Sequence, residues 1–364
     1  MRVVLAGGGT TGHISPMLAT AEALHDMDPQ TRMWCVGTPI GLETDLVPAA
    51  GFELKMVDPV PLPRAVSWDI ATLPYRIWKS VRQARSILDE CGAQVVVGFG
   101  GYASLPVFLA AKRMGVPVVV HEANAVPGLA NRIASRFAAR VCVTFENTGL
   151  PRQVVTGMPV RAEVANLDRR AERGSARELF GLDGSAKVLL VSGGSQGAKR
   201  LNDATVGALA ALGEAGVSVL HVTGKNNFDE PVTVPPQAQG RYVRVPYVEK
   251  MGQAYAAADL MLARSGAGTV TETALVGLPA IYVPLPHGNG EQAKNAAGVV
   301  AAGGGILVPD AELTSEKVAA EAIRILNDEP VLETMGRAAA HVMPRDSAQI
   351  LARYAFQAAE EGNR

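Results

Sequence analysis

The chain has 364 residues, of which 48% are hydrophobic, enough for the cores of two domains. Lys and Arg total 34 against 35 for Asp and Glu, so the net charge of −1 does not indicate nucleic-acid binding. Three distant cysteines, Cys35, Cys91 and Cys142, predict reduced core thiols in a cytosolic protein. The sequence has no apolar run of about 18 residues to predict a membrane span, and its start lacks the apolar region of a signal peptide.

The first half of the chain alternates predicted strands with predicted helices. Short apolar runs are typical of strands buried on both faces, and apolar residues at helical spacing follow them. We predict strands over residues 2–6, 33–36, 94–98, 117–120, 141–144 and 153–156, a strand followed by a loop over 54–63, and helices over 14–24 and 106–114. This order predicts a doubly wound parallel sheet with glycine turns at the carboxyl ends of its strands.

The glycine turn after the first strand matches the dinucleotide pattern G-x-G-x-x-G at Gly7, Gly9 and Gly12. A dinucleotide site also needs an acid at the end of the second strand, where the ribose binds. That strand is followed here by Gly37, so we do not predict a dinucleotide site.

Residues 61–88 differ from the rest of this half in their charge. Five basic residues and one acid leave +4 (five minus one), and apolar and aromatic residues lie between them. Basic residues mixed with Trp and Tyr suit an anionic lipid surface, and we favour Tyr75, Ile77, Trp78 and Lys79 as its contacts. The alternative is an amphipathic helix packed on its own sheet, with Arg and Lys facing water. The charged residues are Arg64, Asp69, Arg76, Lys79, Arg82 and Arg85.

Polar residues follow the predicted strand over residues 117–120, at the same edge of the sheet as the glycine turns. We expect His121 to be a hydrogen-bonded core histidine. Asn124 lies in the loop beyond the strand and is the better candidate for a ligand contact.

The pattern begins again after residues 157–161, which we predict to be a hinge, and charged residues cluster over 161–178. A strand over residues 187–191 and a glycine turn over 192–198 repeat the plan of residues 3–13, as two domains of one class do. Further strands are predicted over residues 217–223, 242–245, 260–263 and 280–283, with helices over 269–276 and 330–359. We therefore predict an N-terminal domain over residues 1–158, a C-terminal domain over 159–342 and a terminal helix over 343–364 that bridges back.

Residues 259–292 organise the second domain around a predicted ligand site. A buried strand leads into a turn of small residues and then a helix, whose first N–H groups and positive dipole end suit a phosphate. Glu272 lies one turn into that helix, where its carboxylate can accept two hydrogen bonds from a ribose diol. The polar loop over residues 287–292 is directed at the same edge. Together these features predict a site for a sugar nucleotide, and an ordinary β-α-β unit with a tight turn is the alternative.

Seven motifs occur in the order found in one glycosyltransferase family. They are Gly8-Gly9-Thr10-Thr11-Gly12-His13, Gly100-Gly101-Tyr102, His121-Glu122-x-Asn124, Gly157-x-Pro159-Val160-Arg161, Gly193-Gly194-Ser195-Gln196-Gly197-Ala198, Arg264-Ser265-Gly266-Ala267-x-Thr269-x-x-Glu272 and the Gln292 loop. Over nearly its whole length the chain resembles the MurG family, the N-acetylglucosaminyltransferases that make lipid II of peptidoglycan. Each motif alone is weak evidence, whereas seven in order are strong. The resemblance implies an α/β chain with two Rossmann-like doubly wound domains facing a cleft, the glycosyltransferase B fold.

The resemblance also implies a reaction. GlcNAc moves from UDP-GlcNAc to the C4 hydroxyl of MurNAc in undecaprenyl-pyrophosphoryl-MurNAc-pentapeptide (lipid I), with inversion at the anomeric carbon. No cofactor is implied, and the sequence shows no credible metal cluster, so other groups must meet the charge on UDP. The implied partners are UDP-GlcNAc, lipid I, the anionic inner membrane surface and proteins of cell-wall synthesis, but no nucleic acid. The implied location is peripheral, on the cytoplasmic side of the cell membrane.

The family pattern assigns roles to residues of this chain. Glu272 holds the ribose, Val248 offers its backbone to uracil, and Asn124 and Gln292 hold the GlcNAc. The side chains of Arg161 and Ser195, together with the amides of the 193–197 turn, stabilise the charge of the diphosphate. The other donor-binding residues are Ser265, Gly266, Ala267, Gly268, Thr269 and Val270 along the nucleotide, and Thr10, Thr11 and Gly12 near the diphosphate on the acceptor side. The acceptor residues include Gly101 and Tyr102.

We expect His13 to be the catalytic base, because imidazole titrates near neutrality and this one opens a helix beside the glycine turn. The alternative is a histidine that braces the turn or bonds a phosphate. The chain departs from the family at Thr11, where glycine is usual, at Leu105, where a small residue is usual, and at Met158, where asparagine is usual. Thr11 and Leu105 lie in predicted acceptor loops, so they bear on how the acceptor fits.

Two other functions remain open from the sequence. One is a related enzyme of the same fold, such as a UDP-GlcNAc 2-epimerase or a transferase with a soluble acceptor. The basic and aromatic stretch around Trp78 argues against a soluble acceptor. The other is a catalytically silent protein that binds a UDP-sugar.

Overall fold

The computed structural model describes residues 1–60, 69–287 and 289–362. Its contacts divide the chain into two compact units, Met1–Arg161 with Asp346–Arg364, and Ala162–Arg345. The sequence predicted boundaries after residues 158 and 342, whereas these contacts place them after 161 and 345. Residues 61–68 of the predicted basic stretch, Arg64 included, and Gly288 of the predicted polar loop lie outside the described residues.

Within the described residues, the first unit forms a seven-stranded sheet of parallel pairs. Its strands are β1 (Arg2–Ala6), β2 (Arg32–Gly37), β3 (Leu54–Met56), β4 (Val95–Gly98), β5 (Val118–Glu122), β6 (Arg140–Val143) and β7 (Gln153–Val155). Its helices are α1 (Thr11–Met27), α2 (Glu43–Ala49), α3 (Asp69–Cys91), α4 (Ser104–Met114) and α5 (Leu129–Ala134), with a 3-10 turn at Glu146–Thr148. The strand order β3-β2-β1-β4-β5-β6-β7 reverses between β1 and β4. At such a switch point the loops diverge and leave a crevice for a ligand.

Different helices cover the two faces of this sheet. Successive strand residues point to opposite faces, so Val3 and Leu5 pack with α1, whereas Val4 and Ala6 pack with α3 and α4. The three cysteines are free and buried, as predicted for core thiols: Cys35, Cys91 and Cys142.

The second unit repeats this plan with a six-stranded parallel sheet, counted over the described part of the chain. Its strands are β8 (Lys187–Ser192), β9 (Val217–Val222), β10 (Tyr242–Val245), β11 (Leu260–Ala263), β12 (Ala280–Tyr282) and β13 (Gly305–Leu307). Its helices are α6 (Ala162–Ala165), α7 (Arg169–Leu179), α8 (Lys199–Glu214), α9 (Met251–Ala257), α10 (Ala267–Leu275), α11 (Glu291–Ala301), α12 (Ser315–Leu326) and α13 (Glu329–Ala340), with 3-10 turns at Lys225–Asn227, Pro236–Ala238 and Asp310–Glu312. The order β10-β9-β8-β11-β12-β13 reverses between β8 and β11. Two doubly wound parallel sheets confirm the predicted fold class.

The last helix, α14 (Ser347–Gly362), belongs to the first unit. Its buried face, which includes Leu351 and Ala355, packs with α1 against the first sheet. The chain therefore ends in the unit in which it begins.

A buried ion pair attaches α7 to the second sheet. Arg177 Nη2 lies 2.8 Å from Asp259 Oδ2, and both side chains are 4% exposed. The same carboxylate oxygen accepts the Val188 N–H at 2.8 Å, and Arg173 Nη2 lies 2.9 Å from the other oxygen. Part of the charge cluster after the predicted hinge is therefore buried and structural.

Several elements differ from their predictions. Helix α1 begins at Thr11 rather than at residue 14, and β5 extends through His121 and Glu122. The predicted helix over 330–359 is two helices, α13 and α14, and the break between them contains Pro344, which has no N–H to continue a helix. Strand β13 was not predicted, because its three residues are too few to show a period.

Candidate active site

Two loops meet at the switch point of the first sheet, one after β1 and one after β4. Gly101 has a φ of +85°, and a Cβ added there would lie 2.5 Å from the Gly8 carbonyl oxygen. Only glycine allows this approach and this backbone conformation. Tyr102 follows at the edge of the loop and is 47% exposed. The predicted acceptor residues Gly101 and Tyr102 thus lie next to the first glycine turn.

His13 lies in the first turn of α1 and is half-buried. Its Nδ1 is 3.1 Å from the Gly8 carbonyl oxygen and 3.3 Å from Thr10 Oγ1. A carbonyl oxygen only accepts, so Nδ1 carries the proton and the neutral ring has its lone pair on Nε2. The ring edge with Nε2 faces the second loop, since both Nε2 and Cδ2 lie 3.3 Å from the place of a Cβ on Gly100.

The environment of His13 keeps it neutral at pH 7. Burial lowers its pKa, and the hydrogen bond to Gly8 and the charge of Glu43 oppose that effect without cancelling it. The pKa therefore lies below its ordinary value of 6.5. A neutral imidazole with a defined lone pair is the state that a general base requires.

Sequence reasoning missed Glu43, which lies under the same turn. The side chain is fully buried and accepts the Gly9 N–H at 2.8 Å and the Thr38 N–H and hydroxyl at 2.8 and 2.9 Å. The available signal was the short run Gly37-Thr38-x-x-Gly41-x-Glu43, in which glycines precede an acid just after a strand.

The loop after β5 is fixed by Glu122. Its carboxylate accepts the backbone N–H groups of Asn124 and Gly128 at 2.9 and 3.0 Å and the Asn131 side-chain amide at 2.8 Å. Burial raises the pKa of Glu122 above its ordinary value despite these bonds. Asn124 is half-buried at the carboxyl edge of the sheet, one strand beyond the Gly101 loop. His121 is fully buried with Nε2 3.0 Å from the Gly157 carbonyl oxygen, as predicted for a core histidine.

The turn after β8 opens the candidate donor site in the second unit. Gly194 and Gly197 have φ of +87° and +75°, and a Cβ on Gly197 would lie 2.0 Å from the Thr223 carbonyl oxygen. Glycine is therefore required where this turn packs against the end of β9. Ser195 lies exposed in the turn.

The turn after β11 leads directly into α10. Gly266 is the N-cap, with extended backbone and no side-chain cap bond, so the first N–H groups of the helix are not capped by a side chain. Ser265 is fully buried, and its hydroxyl has no hydrogen-bond partner in the described structure. The first helical turn is formed by the predicted residues Ala267, Gly268, Thr269 and Val270. Such a helix start suits an anion.

Glu272 lies at the next turn of α10 and is half-buried. Its Oε2 accepts a hydrogen bond from the Tyr255 hydroxyl at 2.6 Å. Burial, together with the charge of Glu272, raises the pKa of Tyr255 well above its usual value, so the phenol stays a donor. Sequence reasoning missed Tyr255, which lies on α9 and meets Glu272 only in the folded chain.

The remaining predicted donor residues also follow strands of the second sheet. Val248 comes after β10 and is 7% exposed. Gln292 is half-buried, and its Oε1 accepts the Leu285 N–H at 2.9 Å. The predicted loop over 287–292 is wrong at its end, because Glu291 and Gln292 already belong to α11. The Asn295 amide of that helix donates to the Ser265 carbonyl oxygen at 3.3 Å, which ties α11 to the turn after β11.

Arg161 ends the first unit and is half-buried. It follows Gly157, whose φ of +74° turns the chain, and the buried residues Met158 and Val160. Its predicted contact with a diphosphate remains a prediction.

The described part of the basic stretch belongs to α3 (Asp69–Cys91), a long helix with two different faces. Tyr75 and Trp78 are 64% and 56% exposed, and their rings stack with centroids 6.0 Å apart. Ile77 instead packs against the core of the first unit, and Lys79 Nζ lies 2.7 Å from Asp58 Oδ2. The helix therefore packs on its own sheet, as the alternative interpretation held, and also exposes an aromatic pair. No helix in the described ranges has the length and apolarity of a membrane span.

Both halves of the chain match models of one enzyme family. The glycosyltransferase family 28 N-terminal domain matches residues 3–143, and the C-terminal domain of the same family matches residues 188–351. A Nocardioides protein named UDP-N-acetylglucosamine--N-acetylmuramyl-(pentapeptide) pyrophosphoryl-undecaprenol N-acetylglucosamine transferase is 50% identical over 98% of each chain. A Mycobacterium avium protein of the same name is 52% identical over 97% of this chain and 88% of its own.

The crystal structure of Acinetobacter baumannii MurG has a TM-score of 0.78 and 29% identity, over 98% of this chain and 99% of that one. The chain belongs to the MurG family. A calicheamicin glycosyltransferase with a TM-score of 0.66 and 19% identity shares the fold, over 100% of this chain and 99% of its own. The predicted family is confirmed.

The three departures from the MurG pattern have simple structural settings. Thr11 is the first residue of α1, and its backbone is not in the left-handed region, so a side chain is accommodated there. Leu105 and Met158 are 7% and 1% exposed and are therefore buried. Their side chains add apolar volume inside the first unit rather than polar groups at its surface.

Proposed function

We propose that this MurG-family chain transfers GlcNAc from UDP-GlcNAc to the C4 hydroxyl of MurNAc in lipid I, forming lipid II for peptidoglycan. The names of relatives at 50% and 52% identity over nearly the whole chain support this substrate pair. The observation that carries the proposal is the orientation of His13, whose Nδ1 is bonded to Gly8 and whose Nε2 lone pair lies at the switch point of the first sheet.

The donor is expected on the second unit. The uncapped start of α10 and the glycine turn after β8 both present backbone N–H groups at the carboxyl edge of one sheet, where a diphosphate is stabilised. The bond from Tyr255 fixes Glu272 and supports our proposal that its carboxylate accepts hydrogen bonds from the ribose diol. In this proposal Arg161 and Ser195 bind the diphosphate, the Val248 backbone contacts uracil, and Asn124 and Gln292 bind the sugar.

The acceptor is expected on the first unit, where His13 Nε2 takes the proton of the MurNAc C4 hydroxyl. As that oxygen bonds to the anomeric carbon, the bond from this carbon to the diphosphate breaks and UDP leaves with the electron pair. A single displacement of this kind inverts the anomeric centre. No step in this scheme needs a metal ion, because fixed N–H groups and Arg161 meet the charge on UDP.

We propose that the chain is peripheral to the cytoplasmic side of the membrane, where lipid I would be presented. The exposed pair Tyr75 and Trp78 supports a contact with lipid, and the cation of Arg82 lies 5.7 Å from the Trp78 ring. The site for an anionic lipid surface would thus lie on α3.

The test is a transfer assay with UDP-GlcNAc labelled in its sugar and a short-chain lipid I analogue. The proposal predicts a labelled lipid-linked disaccharide with a β linkage. Formation of UDP-ManNAc without acceptor would identify an epimerase, transfer to a soluble sugar would identify a different acceptor class, and tight UDP binding without any product would identify a silent binding protein. Any of these three results contradicts the proposal.

A further inference from the structure

The peptide group between Gly8 and Gly9 makes hydrogen bonds through both its C=O and its N–H. Its carbonyl oxygen lies 3.1 Å from His13 Nδ1, and its N–H donates to Glu43 Oε2 at 2.8 Å. The C=O and N–H of one peptide group are conjugated, so a carboxylate on the N–H makes the oxygen a stronger acceptor. Glu43 and His13 are therefore linked through a single peptide group.

Glu43 carries a charge in this buried place. Burial raises its pKa, but the hydrogen bonds from Gly9 and from Thr38 outweigh burial, and the pKa lies below its ordinary value. At neutral pH the group is a carboxylate. Its other oxygen, Oε1, accepts both the N–H and the hydroxyl of Thr38, so the carboxylate is fixed on two sides.

Three glycines leave room for this carboxylate. An added Cβ would lie 2.4 Å from Glu43 Oε1 at Gly8, 2.4 Å from Cγ at Gly37 and 1.9 Å from Oε2 at Gly41. None of these three has a positive φ, so the space, not the backbone conformation, requires glycine. The turn is built around the Glu43 side chain.

The sign of the Glu43 charge argues against a role in holding the acceptor. A buried carboxylate next to a turn that receives a diphosphate repels that ligand. The same charge favours an imidazolium on His13, which forms only when the base has taken a proton. The charge therefore helps the reacting state and not the binding of the lipid.

We propose that Glu43 is a positioning residue that acts on His13 through the Gly8–Gly9 peptide group. It holds the Gly8 carbonyl oxygen toward Nδ1, which fixes the ring with Nε2 free, and it stabilises the imidazolium as the C4 hydroxyl loses its proton. This inference rests on the proposed base role of His13. The arrangement resembles a carboxylate–histidine pair in which one peptide group stands between the two members.

The surroundings of His13 allow a clean test of this coupling. Glu43, from α2, is the charged side chain with an effect on His13 in the described structure, and Thr10 is a neutral neighbour whose Oγ1 lies 3.3 Å from Nδ1. Asp45, also on α2, is exposed and serves as a matched control for loss of one negative charge.

The experiment compares Glu43→Gln with Asp45→Asn by NMR titration of 13C-labelled His13 and by the pH profiles of kcat and KM. Loss of the Glu43 charge should lower the pKa of His13 and move the acid limb of the kcat profile to lower pH. The plateau of kcat should fall by about 10- to 100-fold, the range known for loss of the hydrogen-bond partner of a metal-bound histidine, with the KM for UDP-GlcNAc unchanged. Asp45→Asn should change none of these.

If the titration and the pH limb of Glu43→Gln match the wild type, or if kcat falls only together with the folded fraction, the inference is wrong. A second pair keeps it testable should Glu43→Gln not fold. Thr38→Val removes one donor to Glu43 and should lower kcat and shift the His13 titration, whereas Thr38→Ser should restore both. NMR titration needs no turnover, so it separates this inference from the base role. If His13→Ala were active, the base role would be wrong, whereas the titration shift in Glu43→Gln, which retains His13, would still show the coupling.

Discussion

Replacing Tyr255 with Phe tests how the second unit prepares Glu272 for the donor. The hydroxyl lies 2.6 Å from Glu272 Oε2, and Tyr255 is 2% exposed, so the phenol is a fixed donor on one carboxylate oxygen. Its pKa is raised well above the usual value, first by burial and then by Glu272, and the bond therefore persists across the pH range of an assay. Without it, one oxygen of the carboxylate loses the hydrogen bond from Tyr255 and is held less firmly for the ribose.

The size of the effect follows from the strength of this bond. A hydrogen bond to a charged group contributes about 1.5–3 kcal/mol, but Glu272 is half-buried and water can replace part of the loss. We take about 1.4 kcal/mol as the effect on donor binding, which corresponds to about a tenfold weaker Kd for UDP-GlcNAc. Since the chemical step is untouched, kcat at saturating donor should change little.

The assay is calorimetric titration with UDP, supported by KM and kcat for transfer. Tyr282→Phe is a matched control, because Tyr282 is also buried and its hydroxyl lies 2.7 Å from Thr273 Oγ1 on the same helix, α10. Both variants should lose a similar stability, about 1 kcal/mol or somewhat more, whereas only Tyr255→Phe should weaken donor binding. Equal donor affinity in the two variants would refute the role of Tyr255, and so would a loss confined to kcat.

Two further changes test the lipid surface and the second core. Trp78→Glu should weaken binding to vesicles with anionic lipid by about fivefold or more, since one charge near such a surface contributes about 1 kcal/mol. The control is Ile40→Glu, at another exposed apolar residue, which should not weaken binding. Equal binding of both variants in a flotation assay would argue against the α3 contact. Asp259→Asn should lower the free energy of unfolding of the second unit by about 3–5 kcal/mol in urea, because the buried Arg177 loses its ionic partner. The control is Asp203→Asn, at an exposed position. A loss of stability in Asp259→Asn no larger than in this control would contradict the account.

Much of the fold, and many residues at the carboxyl edges of the sheets, could be predicted because buried parallel strands show local sequence patterns. Apolar runs followed by glycines gave β1, β4, β8 and β11 and the turns after them, and the carboxyl ends of such strands share one edge. The positions of His13 and Glu272 were predictable for this reason, since each lies in the first two turns of a helix that follows such a strand.

The partners of those residues were not predictable, because they depend on tertiary contacts. Glu43 is thirty-four positions from Gly9 and Tyr255 seventeen from Glu272, and no periodic pattern links either pair. The helix α3 shows a similar limit: its sequence placed Ile77 and Trp78 together on a lipid surface, but the fold buries Ile77 in part and exposes Trp78. Sequence pattern located the groups, and packing decided which of them face solvent.

The measurement that bears most directly on the central claim is single-turnover transfer by His13→Ala, with enzyme in excess over labelled UDP-GlcNAc and with saturating acceptor. A base that takes the acceptor proton contributes about 10²- to 10⁴-fold, so the account predicts that turnover falls by about 10² or more while UDP binding stays at the wild-type value. A variant that transfers GlcNAc at nearly the wild-type rate would contradict the account, because proton removal would then depend on another group.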